Sequence, residues 1–292
     1  LLWEVNPRSR SDGISEKTIR GSRALSESKF PDMKVKPCLT SCCFFWIGFL
    51  ACGKPQKESP EKSGFGLEVV EYVPRESSIR LKTPTHIAFG PNNREVITDL
   101  KNNRFVFREG PEEPFQVSPV PLRGPHSVVY NPKDKLYYAN DTENHRMIAF
   151  SDLSKPTIQA QTKKIAGINL HRPHDVVLDP STGWIYAINP GSGHVFRFTA
   201  IGENESAIKL PLQGYARALT FTNGKLYAIG SAKGRIVEIV GWKTPTFKIY
   251  DSHDPSGRNG SSGFWAKTGL VLNDAEFFEG FWYAPSYFMK QG

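Results

Sequence analysis

Residues 173–198, PHDVVLDPSTGWIYAINPGSGHVFRF, contain three short strands separated by two turns. In VVLD and WIYAI the apolar side chains, β-branched or aromatic, recur with the two-residue period of a strand. The residues between them, Asp179-Pro180-Ser181-Thr182-Gly183, are those that tight turns favour. HVFRF follows a second turn signal at 190–193 and alternates in the same way. Because a lone three-stranded meander leaves one face uncovered, it must pack against a similar unit.

The chain carries further copies of this pattern. They lie at 84–107, 125–150 and 216–240, and a fifth begins at 274. Counted from the residue taken as the start of each first strand, the copies are 40, 48, 43 and 57 residues apart. Periods in the forties with three or four strands each are typical of a β-propeller, whereas a helical solenoid shows a spacing of about 3.6 residues within its units.

Each copy leaves room for a fourth, outer strand. These strands are predicted within residues 114–120, 157–165, 207–212 and 246–251. The sequence therefore predicts an all-β fold, a β-propeller of four-stranded blades with about five blades between residues 67 and 292. Since an open arc would expose a blade face and strand edges, we expect a C-terminally truncated six-bladed ring. The strand LEVVEYV (67–73) is predicted to complete a blade begun at the other terminus.

The fifth copy departs from the others. Its first strand is predicted in AEFF (275–278) and its second in FWYAPSYF (281–288). Residues 251–273 are predicted to be an inserted loop, because they are rich in Gly, Ser and Asn.

The charge balance does not indicate a nucleic-acid partner. The whole chain of 292 residues has 37 Lys and Arg against 29 Asp and Glu. The first 51 residues hold eight of the basic and five of the acidic residues, which leaves 29 against 24 in the remainder. No basic run or helix stands out there, so a solvated surface is the favoured interpretation.

The N-terminal region has the zones of an export signal. Residues 1–32 are predicted to be disordered or an upstream extension, residues 33–51 a signal peptide, and residues 52–66 a polar linker. Phe49-Leu50-Ala51-Cys52 resembles the lipobox of bacterial lipoproteins, which implies a lipid on Cys52 and anchoring to the bacterial envelope, on the periplasmic or outer face. Secretion after ordinary signal cleavage, or an uncleaved N-terminal anchor, is the alternative. All four cysteines lie between Cys38 and Cys52, so no disulfide is expected in the propeller.

Corresponding residues of successive blades converge on the axis of a propeller. The residues taken as the starts of the first strands are His86, His126, His174, Arg217 and Asp274. Three imidazoles, a guanidinium and a carboxylate facing one channel favour a divalent metal such as zinc or calcium, or an anionic ligand. The alternative is structural: each histidine caps a turn and hydrogen-bonds the neighbouring blade.

The second strands of the first two copies end in Asp99 and Asp141. A carboxylate after a strand can accept backbone N–H groups and close the turn toward Asn102 or Asn144. Calcium binding by these carboxylates is the alternative, and the turn role is favoured because Asn189 and Gly230 replace Asp in the later copies.

Four stretches carry a family resemblance. VITDLKNNRFVF and YANDTENHRMIAF resemble the NHL repeat, and PHSVVYNP and PHDVVLDP are similar to first strands of the NHL, SMP-30 and peptidyl-amidating-lyase group of six-bladed propellers. In the amidating lyases, histidines from separate blades hold a catalytic zinc, so the resemblance implies that role for His86, His126 and His174. The SMP-30 branch would place a Glu-Gly-Pro motif in the first blade, but Glu109-Gly110-Pro111 falls between the first and second copies.

Three functions remain at this point. The favoured one is an exported propeller that binds a small ligand or a protein at its central channel. A metal-dependent lyase or hydrolase that uses the channel histidines, and a scaffold that binds proteins through its rim loops, are the alternatives. The sequence contains no nucleophile elbow, phosphate-binding loop or two-histidine helix motif that would identify a reaction.

Overall fold

The computed structural model describes residues 78–212, 215–230, 235–251, 270–278, 281–284 and 286–288. The predicted disordered segment, signal peptide, linker and closing strand, together with Cys52, lie outside these residues. Within the described ranges the regular structure is β-strand, apart from short 3₁₀ helices at Pro91–Asn93, Leu100–Asn102 and Thr142–Asn144. No helix in this part of the chain is long and apolar enough to cross a membrane.

The first two predicted copies each form a four-stranded antiparallel sheet. Blade 1 consists of β1 (Pro84–Phe89), β2 (Glu95–Asp99), β3 (Arg104–Arg108) and β4 (Gln116–Val117). Blade 2 consists of β5 (Pro125–Asn131), β6 (Leu136–Asp141), β7 (Arg146–Phe150) and β8 (Ala160–Thr162). A two-stranded pair, β9 (Lys164–Ile165) and β10 (Ile168–Asn169), precedes the next blade.

The next two copies repeat the arrangement. Blade 3 consists of β11 (Asp175–Leu178), β12 (Ile185–Asn189), β13 (His194–Phe198) and β14 (Ser206–Lys209). Blade 4 consists of β15 (Ala218–Thr222), β16 (Lys225–Gly230), β17 (Arg235–Val240) and β18 (Thr246–Asp251). In all four sheets, strands that follow each other in sequence are neighbours in space. The predicted outer strands are therefore confirmed.

Alternation along each strand sends its side chains to two different neighbouring blades. In β6, Tyr137 packs with Phe105 and Phe150 in the core shared by blades 1 and 2. The next residue, Tyr138, packs with Ile185 in the core shared by blades 2 and 3. Burying each of these large side chains contributes roughly 2–3 kcal/mol. The two-residue period is thus what stacks one blade on the next.

The first strands lie side by side around the axis. β1 contacts β5, β5 contacts β11, and β11 contacts β15. Such a sequence of contacts between first strands is the radial arrangement expected of a propeller. The fold class predicted from the repeats is therefore confirmed: an all-β propeller of four-stranded blades, with strands of a fifth.

The fifth copy differs from its prediction. Four short strands are present here: β19 (Leu270–Leu272), β20 (Glu276–Phe278), β21 (Phe281–Tyr283) and β22 (Ser286–Phe288). β20 pairs with β21 as expected, but FWYAPSYF is divided between two strands, and β22 pairs with β19, inside the stretch predicted to be a loop. Proline has no amide hydrogen to donate to a sheet, so Pro285 explains why the single predicted strand is divided.

Candidate functional site

Two histidines meet where the first strands of blades 2 and 3 lie side by side. The rings of His126 and His174 are stacked, with centroids 3.8 Å apart and an interplanar angle of 28°. Tyr215, which precedes the first strand of blade 4, places its ring edge-on to His174 at 6.1 Å. Tyr215 exposes 40% of its surface, so this aromatic group reaches the solvent.

Both stacked imidazoles are neutral near pH 7. Burial, followed by the charges of Arg217 and Arg172, lowers the pKa of His126 to about 3. Burial, together with His126 and Arg217, holds the pKa of His174 well below its usual value. The His174 ring also forms a hydrogen bond with the Arg217 backbone. This bond raises the pKa of His174, so the ring is the donor and the carbonyl oxygen of Arg217 accepts. The second ring nitrogen of neutral His174 then carries a lone pair.

Arg217 and two carboxyl groups lie beside the histidines. Burial and then the neighbouring Asp274 raise the pKa of Asp175, and burial raises the pKa of Asp274 in spite of the nearby Arg217. Two carboxyl groups this close together resist simultaneous ionisation. Within the part of the chain that the structure describes, the buried Nε of Arg217 has no hydrogen-bond partner.

Side chains one position further along the first strands link consecutive blades. The Ser127 hydroxyl accepts the amide of Val176 at 2.9 Å and donates to the Asp175 carboxylate. Asp175 in turn accepts the amide of Leu219 at 2.8 Å and that of Val176 at 2.8 Å. Asp175 therefore joins blade 3 to blade 4 from a buried position.

The strand register places His86 in this linking layer, and not beside His126. Pro84 pairs with Asp99 just as Pro125 pairs with Asp141, so Thr85 is the equivalent of His126, and His86 the equivalent of Ser127. The copies are thus aligned one residue differently from the spacing used to predict the site. The structure brings together His126, His174, Arg217 and Asp274, whereas His86 has no hydrogen bond, ion pair or ring contact with these four.

His86 and a neighbouring side chain have buried polar atoms that lack hydrogen-bond partners among the described residues. Burial lowers the pKa of His86 to about 4, and its Nδ1 has no hydrogen-bond partner. Thr98 lies opposite His86 on β2, and its buried hydroxyl also has no partner. Buried polar atoms without partners are uncommon in proteins, so this pair calls for a physical explanation.

The described residues can be compared with the ligand groups that metal ions require. Among the described residues, no three His, Cys, Asp or Glu side chains form a group that could hold a metal ion. The one-residue offset of His86 explains why the three histidines implied by the amidating-lyase resemblance are not such a group. Zinc or calcium binding by this chain stays a prediction.

Asp99 and Asp141 are engaged in matching turn networks. One oxygen of Asp141 accepts the amide of Arg123 at 2.6 Å, and the other accepts Asn144 at 2.8 Å and Arg146 at 2.6 Å. Asp99 accepts its counterparts, the Lys82 amide, Asn102 and Arg104, at 2.6, 2.7 and 2.9 Å. Both carboxylates thus make the bonds that the turn role requires.

Sequence reasoning missed several residues at the site. Arg172 is held by an ion pair with Glu143 at 2.7 Å, and its amide donates to His145 at 3.1 Å. Tyr215 and Asp175 were also missed. Asp175 directly follows His174, and a polar residue at the inner end of a buried strand was the signal available. No local pattern marked Arg172 or Tyr215, because the position they share, two residues before the first-strand residue, carries Thr83 and Gly124 in the first two copies.

Comparison with known proteins supports the class of fold. No family model and no curated protein sequence matches the chain. Among solved structures, a protein from Lactobacillus plantarum matches 71% of this chain with 12% identity and a TM-score of 0.52. Catalytically inactive virginiamycin B lyase from Staphylococcus aureus, solved with quinupristin, matches 71% with 13% identity and a TM-score of 0.50. A nidogen/laminin complex matches 58% with 15% identity and a TM-score of 0.50.

The chain spans 65%, 67% and 65% of the matched chains, in the same order. These neighbours are propeller-type structures, and at such low identity they establish the fold alone. The chain is therefore a β-propeller, and its activity must be argued from its own residues.

Proposed function

We propose that this protein is a ligand-binding β-propeller that holds a small polar molecule where the first strands of blades 2, 3 and 4 meet. The observation that carries the proposal is the buried Nε of Arg217, which has no hydrogen-bond partner beside two neutral, stacked histidines. Leaving a buried donor unsatisfied costs about 1–3 kcal/mol. A bound oxygen acceptor removes that cost.

The site offers both donors and acceptors to such a molecule. The guanidinium of Arg217 has N–H donors and no acceptor. The neutral rings of His126 and His174 each keep one nitrogen that can accept a hydrogen bond. Charged and neutral polar groups that converge at the end of a channel are typical of small-molecule sites.

The test is a screen of small acids, polyols and amines against the full chain by thermal shift and isothermal titration. We expect at least one binder whose effect disappears in Arg217→Gln and in His174→Phe. Lys155→Gln removes a positive charge from a side chain that is 70% exposed and should leave binding unchanged. Binders that act equally on all three variants would show that the channel is not the site.

A lyase or hydrolase at the same position is the second candidate. The observation in its favour is the Asp175–Asp274 pair, because two carboxyl groups that share a proton beside neutral imidazoles can transfer protons. Incubating each binder from the screen with the protein, with and without added zinc or calcium, and following products by mass spectrometry tests this activity. Turnover that is lost in Asp274→Asn supports it, and turnover that persists in that variant rejects it.

We also propose that the propeller is tethered to the bacterial envelope through a lipid on Cys52. The support is the sequence 33–52, in which a basic segment, an apolar run and Ala51-Cys52 follow in the order of a lipoprotein signal. Cys52→Ser should abolish incorporation of labelled fatty acid and release the protein from membranes. Labelling that persists in the variant would contradict the anchor.

A further inference from the structure

We propose that the channel ligand is an aromatic carboxylate, whose carboxylate binds side-on to Arg217 and whose ring lies against the aromatic group formed by His126, His174 and Tyr215. The inference rests on the proposed function and specifies the chemical class of its ligand.

The hydrogen-bonding geometry of the Arg217 guanidinium favours a carboxylate as the charged group of the ligand. The unpartnered donor of Arg217 is Nε, and Nε together with one terminal nitrogen forms the side of the guanidinium that matches two carboxylate oxygens. Arg217 stands close enough to His126, His174 and Asp274 to shift the pKa of all three, so its charge lies at the centre of the site.

A second cation lies at the same end of the channel. Arg172 lowers the pKa of both His126 and His174, which places its charge near both rings. Because Arg172 is paired with Glu143 at 2.7 Å, its attraction for an anion is weaker than that of Arg217.

Three carboxyl groups oppose an anion here, and their placement decides how strongly. Asp175 is turned to the protein, where the Ser127 hydroxyl and the amides of Val176 and Leu219 stabilise its charge. Asp274 accepts the amide of Ala275 at 2.8 Å. Glu276 lies near this pair. If these carboxyl groups outweighed the two arginines, the site would instead select an aromatic amine, which is the rival outcome in the test.

The aromatic part of the ligand follows from the exposed ring edge. The His126–His174 stack and the ring of Tyr215, which is 40% exposed and perpendicular to His174, lie in the same group as the Arg217 guanidinium. Aromatic contacts of this kind contribute about threefold to tenfold in affinity. A purely aliphatic acid would leave this surface uncovered.

The experiment compares four probes of matched shape by isothermal titration with the full chain at pH 7. Benzoate has both ring and charge, benzamide the ring without the charge, acetate the charge without the ring, and benzylamine the opposite charge. We expect benzoate to bind tenfold or more tighter than benzamide, as for a charge-assisted hydrogen bond. It should also bind about fivefold tighter than acetate.

Variants locate the binding. Arg217→Gln should weaken benzoate at least tenfold and leave benzamide unchanged, whereas Lys155→Gln should change neither. Arg172→Gln should weaken benzoate about twofold, since Glu143 already compensates that charge.

Each other outcome overturns the inference in a recognisable way. Preferential binding of benzylamine or benzamide, lost in Arg217→Gln or His174→Phe, rejects the carboxylate and leaves the proposed channel function standing. Equal binding of acetate and benzoate rejects the aromatic part. If none of the four probes binds while the wider screen finds a channel ligand, the class is wrong, and if the screen also finds none, the proposed function falls with it.

Discussion

Two groups of polar residues on the same side of each blade differ in how completely they are satisfied: the turn end of the hairpin formed by the second and third strands, and the axial end of the first strand. At the turn end, every oxygen of Asp141 is bonded within the protein, and Asp99 repeats the arrangement in blade 1. At the axial end, Arg217 Nε and His86 Nδ1 are buried without partners. Both sets of residues recur with the repeat, so recurrence by itself does not distinguish structure from function. The buried atoms without hydrogen-bond partners make that distinction.

The largest effect is expected at the turn end. Asp141→Ala removes the partner of Arg146 and of two other donors from a side chain that is fully buried. Breaking such a pair should cost about 3 kcal/mol, measured by denaturant unfolding. Asp152→Ala is the matched control, because its ion pair with Lys155 lies on the surface and should contribute less than about 1 kcal/mol. Equal losses in the two variants would contradict the contrast between the ends.

The axial end should respond in the opposite direction. At pH 5, where the neighbouring carboxyl pair is largely protonated, Arg217→Met replaces an unsatisfied buried donor by an apolar chain of similar length. We expect a gain in stability of about 1 kcal/mol together with loss of ligand binding. A stability loss as large as that of Asp141→Ala would show that Arg217 is structural.

The carboxyl pair should make stability depend on pH. Because the pKa of Asp175 and of Asp274 is raised in the folded protein, their contribution is complete below the unfolded pKa and is lost as pH rises from about 4 to about 7. Asp274→Asn should reduce this slope by about 1 kcal/mol, and the part that comes from burial of Asp175 should remain. Thermal unfolding at pH 5 and pH 8 measures it, and an unchanged slope would mean that the pair does not share a proton.

The smallest effect is expected for His126→Phe. A phenyl ring can keep the stack on His174, so stability at pH 8 should change by less than about 0.5 kcal/mol. Since the pKa of His126 is depressed to about 3, neutral His126 costs stability as pH falls from about 6.5 toward that value, and the variant should lose less stability at pH 4 than the parent. A variant that is less stable than the parent at both pH values would overturn this expectation.

Much of the fold was predictable, because the patterns that favour strands and turns involve residues close together in the sequence. Alternation in 173–198 and its copies predicted about five blades, of which four are four-stranded sheets in the structure, and turn residues predicted their boundaries. The prediction of a single strand in FWYAPSYF was wrong for a local reason too. Its apolar period continues across Pro285, but proline has no backbone N–H to donate to a sheet. The site was less predictable, since two of its members, Arg172 and Tyr215, occupy a loop position whose residue type differs from copy to copy.

The sequence by itself determined where the first strands lie, because a two-residue period and the prolines at 84, 125 and 173 are properties of neighbouring residues. Only the tertiary structure decided which of their residues meet. PTHIAF and PHSVVY both begin with proline and both contain histidine, yet pairing with β2 and β6 places His86 one residue deeper than His126. A shift of one residue along a strand turns a side chain to the other face, so contacts between blades follow from strand register and blade packing, which no single segment contains.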